Sequence, residues 1–280
     1  HVELAGFPHH SIDTYLPKLV RAGYKVAVCD QLEDPKLTKK IVRRGVTELV
    51  TPGVVYNEQL LPQKENNFLA SVCFEKDRGG IAFLDISTGA FRVAEGSMNY
   101  IELLLENMAP KEILVEKGYV KGFREKFHTD AYISTLDEWA FVYETSYEKL
   151  KKHFALDSLK GFGVEGMNLS LTAAGAILYY LENNQQAFCE YFPNRGLSHL
   201  CSISRIDSDD FVWLDRFTVR NLELVYPATK DGVSLLDVVD RCTSPMGGRL
   251  LRQWICMPSK HLDQIRMRHE VVEDFTLHTE

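Results

Sequence analysis

The sequence predicts a multi-domain fold, α/β first and helical at its end, and three observations carry that expectation. At roughly 150 residues per domain, 280 residues suit about two units. Short apolar and alternating stretches, bounded by turn residues and interleaved with helical patterns, occupy the first two thirds. From Asp207 onward, apolar residues recur at helical spacing and prolines punctuate them.

Element by element, Ser11 is expected to cap a helix whose apolar face is Ile12, Tyr15, Leu16, Leu19 and Val20, with Gly23 as a left-handed stop. Pro17 deletes an interior hydrogen bond there and should kink the helix. Lys25 to Cys29 alternates like a strand, and a second strand, Thr47 to Val50, runs into the stop signal Thr51-Pro52-Gly53. Three strands follow, Phe68 to Phe74, Gly80 to Ile86 and Ala90 to Val93, with turns at Asp77-Arg78-Gly79 and Ser87-Thr88-Gly89, which makes an antiparallel meander. A helix from Met98 to Asn107 presents Ile101, Leu104, Leu105 and Met108, and the strand Ile113 to Val115 after it is expected to join the sheet in parallel. Tyr132 to Ser134 is a further short strand. Thr145 and Glu148 have capping-box spacing for a helix to Phe154. Thr172 to Asn184 is an apolar helix rich in small residues, followed by a polar connection to Ser204. Phe211, Leu214, Phe217, Leu222 and Val225 share a helical face, and Leu235 to Val239, Leu250 to Ile255 and Ile265 to Phe275 continue the pattern.

Composition bounds function. With 45% hydrophobic and 25% charged residues the chain reads as ordinary and globular, which excludes disorder, collagen and a disulfide mini-scaffold. The apolar run Leu171 to Leu181 is far short of the ~18 to 20 residues that span a bilayer. Subtracting 39 acidic from 32 basic side chains leaves −7, so any contact with nucleic acid must be local rather than through bulk charge. Six cysteines without close pairing suit a reducing cytoplasm. A start at His1 and an end at Glu280 inside a helical pattern give the expectation of an excised piece.

The usual catalytic signatures are missing. Gly247-Gly248-Arg249 lacks the lysine and glycine spacing of a phosphate cradle, so no ATP site is expected. G-x-S-x-G, H-E-x-x-H and paired C-x-x-C are absent too. His9 and His10 are neighbours that would point to opposite faces of an extended chain, a poor metal pair. Asp85, near a strand end, raises the alternative of a metal-dependent nuclease of the ribonuclease H fold, but such chemistry needs several converging carboxylates. Ser87-Thr88-Gly89 beside it accounts for Asp85 by turn chemistry. Lys36, Lys39, Lys40, Arg43 and Arg44 form the strongest basic cluster, suited either to solvent or to the backbone of duplex DNA; no aromatics interleave to favour stacking on single strands.

The residues themselves resemble a known family. Gly6-Phe7-Pro8-His9-His10, Asp13 through Leu19, Val26 to Glu33, and Arg43 to Val54 with its Val-Thr-Pro-Gly-Val resemble the end of the mismatch-binding domain of bacterial MutS. Phe83 to Gly89 with Phe91 resembles strands of that family's connector domain, and Gly161-Phe162-Gly163-Val164 is similar to a later connector signature. Asp215, Arg220 to Glu223, Ser234-Leu235-Leu236, Thr243, Pro245-Met246-Gly247, Arg249-Leu250-Leu251, Trp254 and Pro258 resemble the opening of its lever, or core, domain. The resemblance implies a remnant of the mismatch domain over residues 1–54, a ribonuclease H-like connector with a mixed sheet over 55–203, and the start of a helical lever over 204–280. The family's mismatch-reading Phe-x-Glu would lie before His1; Phe123-Arg124-Glu125 and Phe188-Cys189-Glu190 match that pattern by chance, in the wrong domain.

By that resemblance the full protein recognises mispaired DNA as a MutS homodimer, uses ATP and magnesium, and recruits MutL; this chain would hold no cofactor and no catalytic residue. Its DNA-side candidates are His9, His10, Lys36, Lys39, Lys40, Arg43 and Arg44. Its candidates for docking MutL are Glu144, Glu148, Lys149 and Lys152, on a helix of mixed charge. A lever segment ending at Glu280 would lack its later partner helices, so an apolar face is expected to be exposed or covered by a second chain.

Overall fold

A computed structural model describes residues 7–31, 33, 42, 44–54, 64–189, 197–229 and 231–278. Helix α1 (Ile12–Arg21) packs Leu16 and Val20 against Val50, and Gly23 ends it at φ +85°. Ser11 makes no side-chain cap, contrary to the sequence expectation. It ends a 3₁₀ turn whose amide donates to the Pro8 carbonyl at 2.9 Å, so the preceding backbone satisfies the helix start instead. Strands β1 (Val26–Gln31) and β2 (Arg44–Val50) pair antiparallel, with a bulge at Val28/Cys29, and Thr51 closes a tight turn onto Val54.

The centre of the molecule is a six-stranded mixed sheet. Strands β3 (Phe68–Glu75), β4 (Arg78–Asp85) and β5 (Ala90–Ser97) form the antiparallel meander; β3 and β5 run further than expected, while β4 is shifted, taking Arg78 and Gly79 from the expected turn into its pairing with β3 and leaving Ile86 outside. Helix α2 (Met98–Met108) leaves β5 under a Ser97 cap, and β6 (Glu112–Glu116) returns beside β3 in parallel, as expected. Helix α3 (Val120–Lys126) leads to β7 (Tyr132–Leu136), parallel to β6. Helices α4 (Tyr143–Phe154) and α5 (Asn168–Cys189) then cross the opposite face, and β8 (Ser204–Arg205) adds a parallel edge to β5. The strand order is β7-β6-β3-β4-β5-β8.

Period-two alternation gives the sheet two buried faces. Phe68, Ala70, Val72, Ile81, Phe83, Ile113 and Val115 meet α2 and α3, while Leu69, Leu84, Phe91, Val93 and Leu114 meet α4 and α5. Burying each large apolar side chain stabilises by about 1.5–3 kcal/mol. Close approach of α5 depends on Gly80: a Cβ there would fall 2.2 Å from the Leu169 backbone.

Three expectations are corrected on this side of the molecule. Helix α4 starts at Tyr143 after an extended Val142, with no side-chain cap, so the Thr145 and Glu148 box does not form and Glu148 pairs with Lys151 instead. Helix α5 begins at Asn168, ahead of Thr172. In the passage before Ser204, Leu197, Leu200 and Ile203 join the core, so its described part is an anchored return rather than a polar connection.

The remainder is helical but thinly packed. Helices α6 (Arg216–Asn221), α7 (Leu235–Val239), α8 (Pro245–Cys256) and α9 (Leu262–Leu277) follow one another. The continuous helical face expected from Phe211 to Val225 is confined to α6. Phe211 instead bridges to Ser259, the Val212 amide donates to the Pro258 carbonyl at 2.7 Å, and Trp213 stands edge-on to Tyr100. Backbone pairing and aromatic contact with the sheet unit therefore override helical spacing. As expected, apolar side chains are exposed here, Phe217 at 74% and Phe275 at 71% among them.

Candidate functional site

The described residues converge on two junctions at the same end of the sheet, where β3 and β6 start and β4 ends. At the first, the turn after β2 enters the sheet unit: Val54 is 1% exposed and belongs to the α5-side core. Beside it, Glu112 at the head of β6 is 0% exposed. Its Oε2 accepts from Thr51 Oγ1 at 2.5 Å and from the Gly53 amide at 3.1 Å. Its Oε1 accepts from Ser134 Oγ and from the Tyr180 hydroxyl at 2.7 Å. Lys25 Nζ lies 3.7 Å from Oε1, donates to the Tyr180 oxygen at 3.1 Å, and sits 5.3 Å from the ring centres of both Tyr132 and Tyr180.

At the second junction, the short passage before β3 and the strand β5 reach the helical segment. Lys64 Nζ meets Asp240 at 2.8 Å, Glu65 meets Arg252 at 3.1 Å, and Asn66 donates to Asp85 at 2.7 Å. Arg92 on β5 donates to Gln253 on α8 at 3.0 Å, and Asn107 on α2 to the Leu214 carbonyl at 3.0 Å. Burial pulls the Arg92 guanidinium below its ordinary value, and the charge of Asp85 opposes that shift.

Asp85 is 0% exposed, and its oxygens are occupied by donors from Asn66, the Asn67 amide, and the amide and hydroxyl of Ser87. That is the turn chemistry anticipated from the sequence. Among the described residues, no group of three or more His, Cys, Asp or Glu side chains could hold a metal ion. The segment around Gly247-Gly248-Arg249 does not fit a nucleotide phosphate: it opens α8, where Ser244 Oγ already takes the Gly247 amide and the Ser244 carbonyl takes that of Gly248.

The other candidates divide. His10 is exposed in the turn before α1, and Arg44 is exposed on β2, while Lys36, Lys39, Lys40, Arg43 and the His9 side chain lie outside the described residues. On α4, Glu144, Glu148 and Lys152 are exposed, but Lys149 is committed to Glu182 of α5 at 2.5 Å and to the Tyr179 ring. The sequence reading passed over Glu112 and Arg92. A signal for Glu112 did exist: an acid directly ahead of an apolar strand run is a buried charge in waiting, and such a charge needs partners.

Among the described residues no helix is long and apolar enough to cross a membrane. The arrangement is a linked one, an α/β sheet unit joined through polar contacts to a smaller α/β unit before it and a helical unit after it. Comparison with known proteins agrees domain by domain: residues 1–59 match MutS domain I, 67–195 match MutS domain II and 217–280 match MutS domain III. The chain is 55% identical over 275 residues to the DNA mismatch repair protein MutS of Parabacteroides distasonis, covering 98% of this chain and 31% of that protein. The proteins of the same name from Flavobacterium johnsoniae (53% over 269 residues, 96% of this chain and 30% of that protein) and Porphyromonas gingivalis (52% over 279 residues, 100% and 30%) are similarly close. The chain belongs to the MutS family, and it spans about 30% of the length of these relatives.

Proposed function

We propose that this chain is the relay section of a DNA mismatch-repair ATPase, carrying a signal between a part that reads mispaired duplex DNA and a part that hydrolyses ATP. The single observation that carries this reading is the ordered match to MutS domains I, II and III along one chain. Its divisions fall at residues 1–54, 55–203 and 204–280, as a mismatch-domain remnant, a connector and the start of a lever. The ribonuclease H-like assignment of the connector is supported by its three-strand antiparallel meander, extended by parallel β6 and β7 on the β3 side. Asp85 is a staple of the turn after β4 in this reading, and its occupied oxygens give the nuclease alternative no footing.

ATP and magnesium belong to the whole protein outside this chain, and the whole protein works as a homodimer in the cytoplasm. His10 and Arg44, both exposed, are the described candidates for contact with the DNA backbone, and Lys36, Lys39, Lys40 and Arg43 are the sequence candidates beside them. The exposed side of α4, with Glu144, Glu148 and Lys152, is the docking surface for MutL, while Lys149 braces α4 on α5.

A direct test uses the full-length protein carrying this chain. Gln253→Ala combined with Arg252→Met cuts the ties from α8 to Arg92 and Glu65. ATP turnover is measured without DNA, with paired duplex and with mismatched duplex. The relay reading expects turnover without DNA to hold and the mismatched-to-paired ratio to fall about fivefold or more, the scale of ordinary inter-site coupling. An unchanged ratio contradicts it.

A further inference from the structure

We propose that Glu112 is a positioning residue: a buried carboxylate that locks the DNA-side unit onto the connector and is the point through which movement of one reaches the other. The proposal rests on the relay reading above and names where the first junction couples. Its two oxygens are divided between the units. Oε2 takes the Thr51 hydroxyl and the Gly53 amide, both from the turn that ends the DNA-side unit. Oε1 takes Ser134 of β7 and Tyr180 of α5, both from the connector. Lys25, ahead of β1, brings the positive charge from the DNA side and passes a hydrogen bond through the Tyr180 oxygen to the same carboxylate.

Energetics make such a contact all-or-none. A carboxylate with no exposure is sustained only while its donors and counter-charge are in place, because an unpaired buried ion is far costlier than a displaced surface one. If the Thr51 to Val54 turn slides, Oε2 loses both of its donors together. Gly53 sets the distance: a Cβ there would fall 2.7 Å from the Glu112 Cβ and 3.1 Å from Leu69 Cδ1, so only glycine allows its amide to reach the carboxylate. Glu112 also sits between the two neighbours of β6, paired in register with Leu69 of β3 and Tyr132 of β7. A displacement delivered there meets a strand paired on both sides rather than the edge strand.

The test compares two variants of the full-length protein with the parent. Glu112→Gln keeps the shape but turns one acceptor into a donor facing donors, and Gly53→Ala pushes on the same contact from the other side. Hydrogen exchange is followed at residues 44–54 and, as the internal reference, at residues 78–85 of β4. Both variants should speed exchange at 44–54 at least tenfold and leave 78–85 unchanged. Both should also lower the mismatched-to-paired ATP turnover ratio severalfold with turnover in the absence of DNA preserved. Unchanged exchange at 44–54 in both variants overturns the proposal, as does equal acceleration in both segments, which would make Glu112 a fold-wide core residue. A parent protein whose turnover ignores mismatches would refute the relay reading instead, and the exchange pattern would still decide for or against the lock.

Discussion

The connector and the helical segment after it are built from comparable shares of apolar residues but put them to opposite use. In the connector, alternation places Leu69, Ile81, Phe83, Leu84 and Leu114 out of solvent on two faces of one sheet, each face covered by its own helices. In the helical segment, α9 has no buried residue and α6 has none either. Its hold on the connector mixes polar ties, Arg92 to Gln253, Glu65 to Arg252 and Lys64 to Asp240, with a small apolar contact in which Ile206 and Met257 are buried and Phe211, Trp213 and Cys256 partly so. A sheet sandwiched by helices satisfies its hydrophobic surface locally, whereas single helices with one apolar stripe need other helices laid against them. The contrast suits a relay, with a stiff body in the middle and a softer element that further packing would complete.

The contrast can be broken most strongly at Phe83. Phe83→Ala removes a fully buried ring that contacts Phe68 edge-on, and it should cost about 3–5 kcal/mol of connector stability, read as a lower denaturation midpoint. Loss under 1 kcal/mol would mean that the core collapses around the gap and is less rigid than described.

Thiol chemistry offers the next largest difference. Burial, followed by the nearby charges of Glu116, Glu75 and Glu95, pushes the Cys73 thiol on β3 up to about 12, while Cys201 is exposed. Thiolate is the reactive form, so alkylation at pH 8 should modify Cys201 about a hundredfold faster than Cys73 or more. Peptide mapping after a timed reaction measures this, and comparable rates would show that the connector opens readily.

A smaller effect is expected at the helix starts of the softer segment. Ser234 and Asp237 cap α7 reciprocally, and Ser234→Ala should cost about 1 kcal/mol locally. Hydrogen bonds from Ser234 hold the Asp237 carboxyl below its ordinary value, and the Thr218 amide does the same for Asp215 at the start of α6. A depressed folded value means that stabilisation is complete above the ordinary Asp range and is lost as pH falls through the depressed one. Exchange at the Thr218 and Ser234 amides, which donate to the Asp215 and Asp237 carboxylates, should therefore rise under acid before β3 and β4 respond. The smallest effect belongs to Phe275→Ala, which removes an exposed ring and should change stability of this chain by less than about 0.5 kcal/mol.

How much of this was legible in the sequence follows the same divide. The meander, α2 and the parallel return of β6 were readable because alternation, turn residues and a four-residue apolar stripe all agreed there. Asp85 was readable as a turn residue because its partner Ser87 is two positions away. The extended stretch through Val212 and the edge strand β8 were not, since each is fixed by contacts with segments distant in sequence, and the start of α4 was not because its extended Val142 takes the place of a side-chain cap. Glu112 escaped because its partners are distant in sequence: Lys25, the turn carrying Thr51 and Gly53, Ser134 and Tyr180 surround it from four places in the chain. Spacing reports local structure well and charge burial poorly.

The central claim is a stiff connector between two movable junctions, and distances between spin labels in the full-length protein test it most directly. Labels at exposed Cys29 of β1, Tyr119 beside α3, Leu156 after α4 and Met267 of α9 report on all three units. On adding mismatched duplex, the account predicts an unchanged distance from 119 to 156 and altered distances from 119 to 29 and to 267. A change within the connector, or none across either junction, would contradict it.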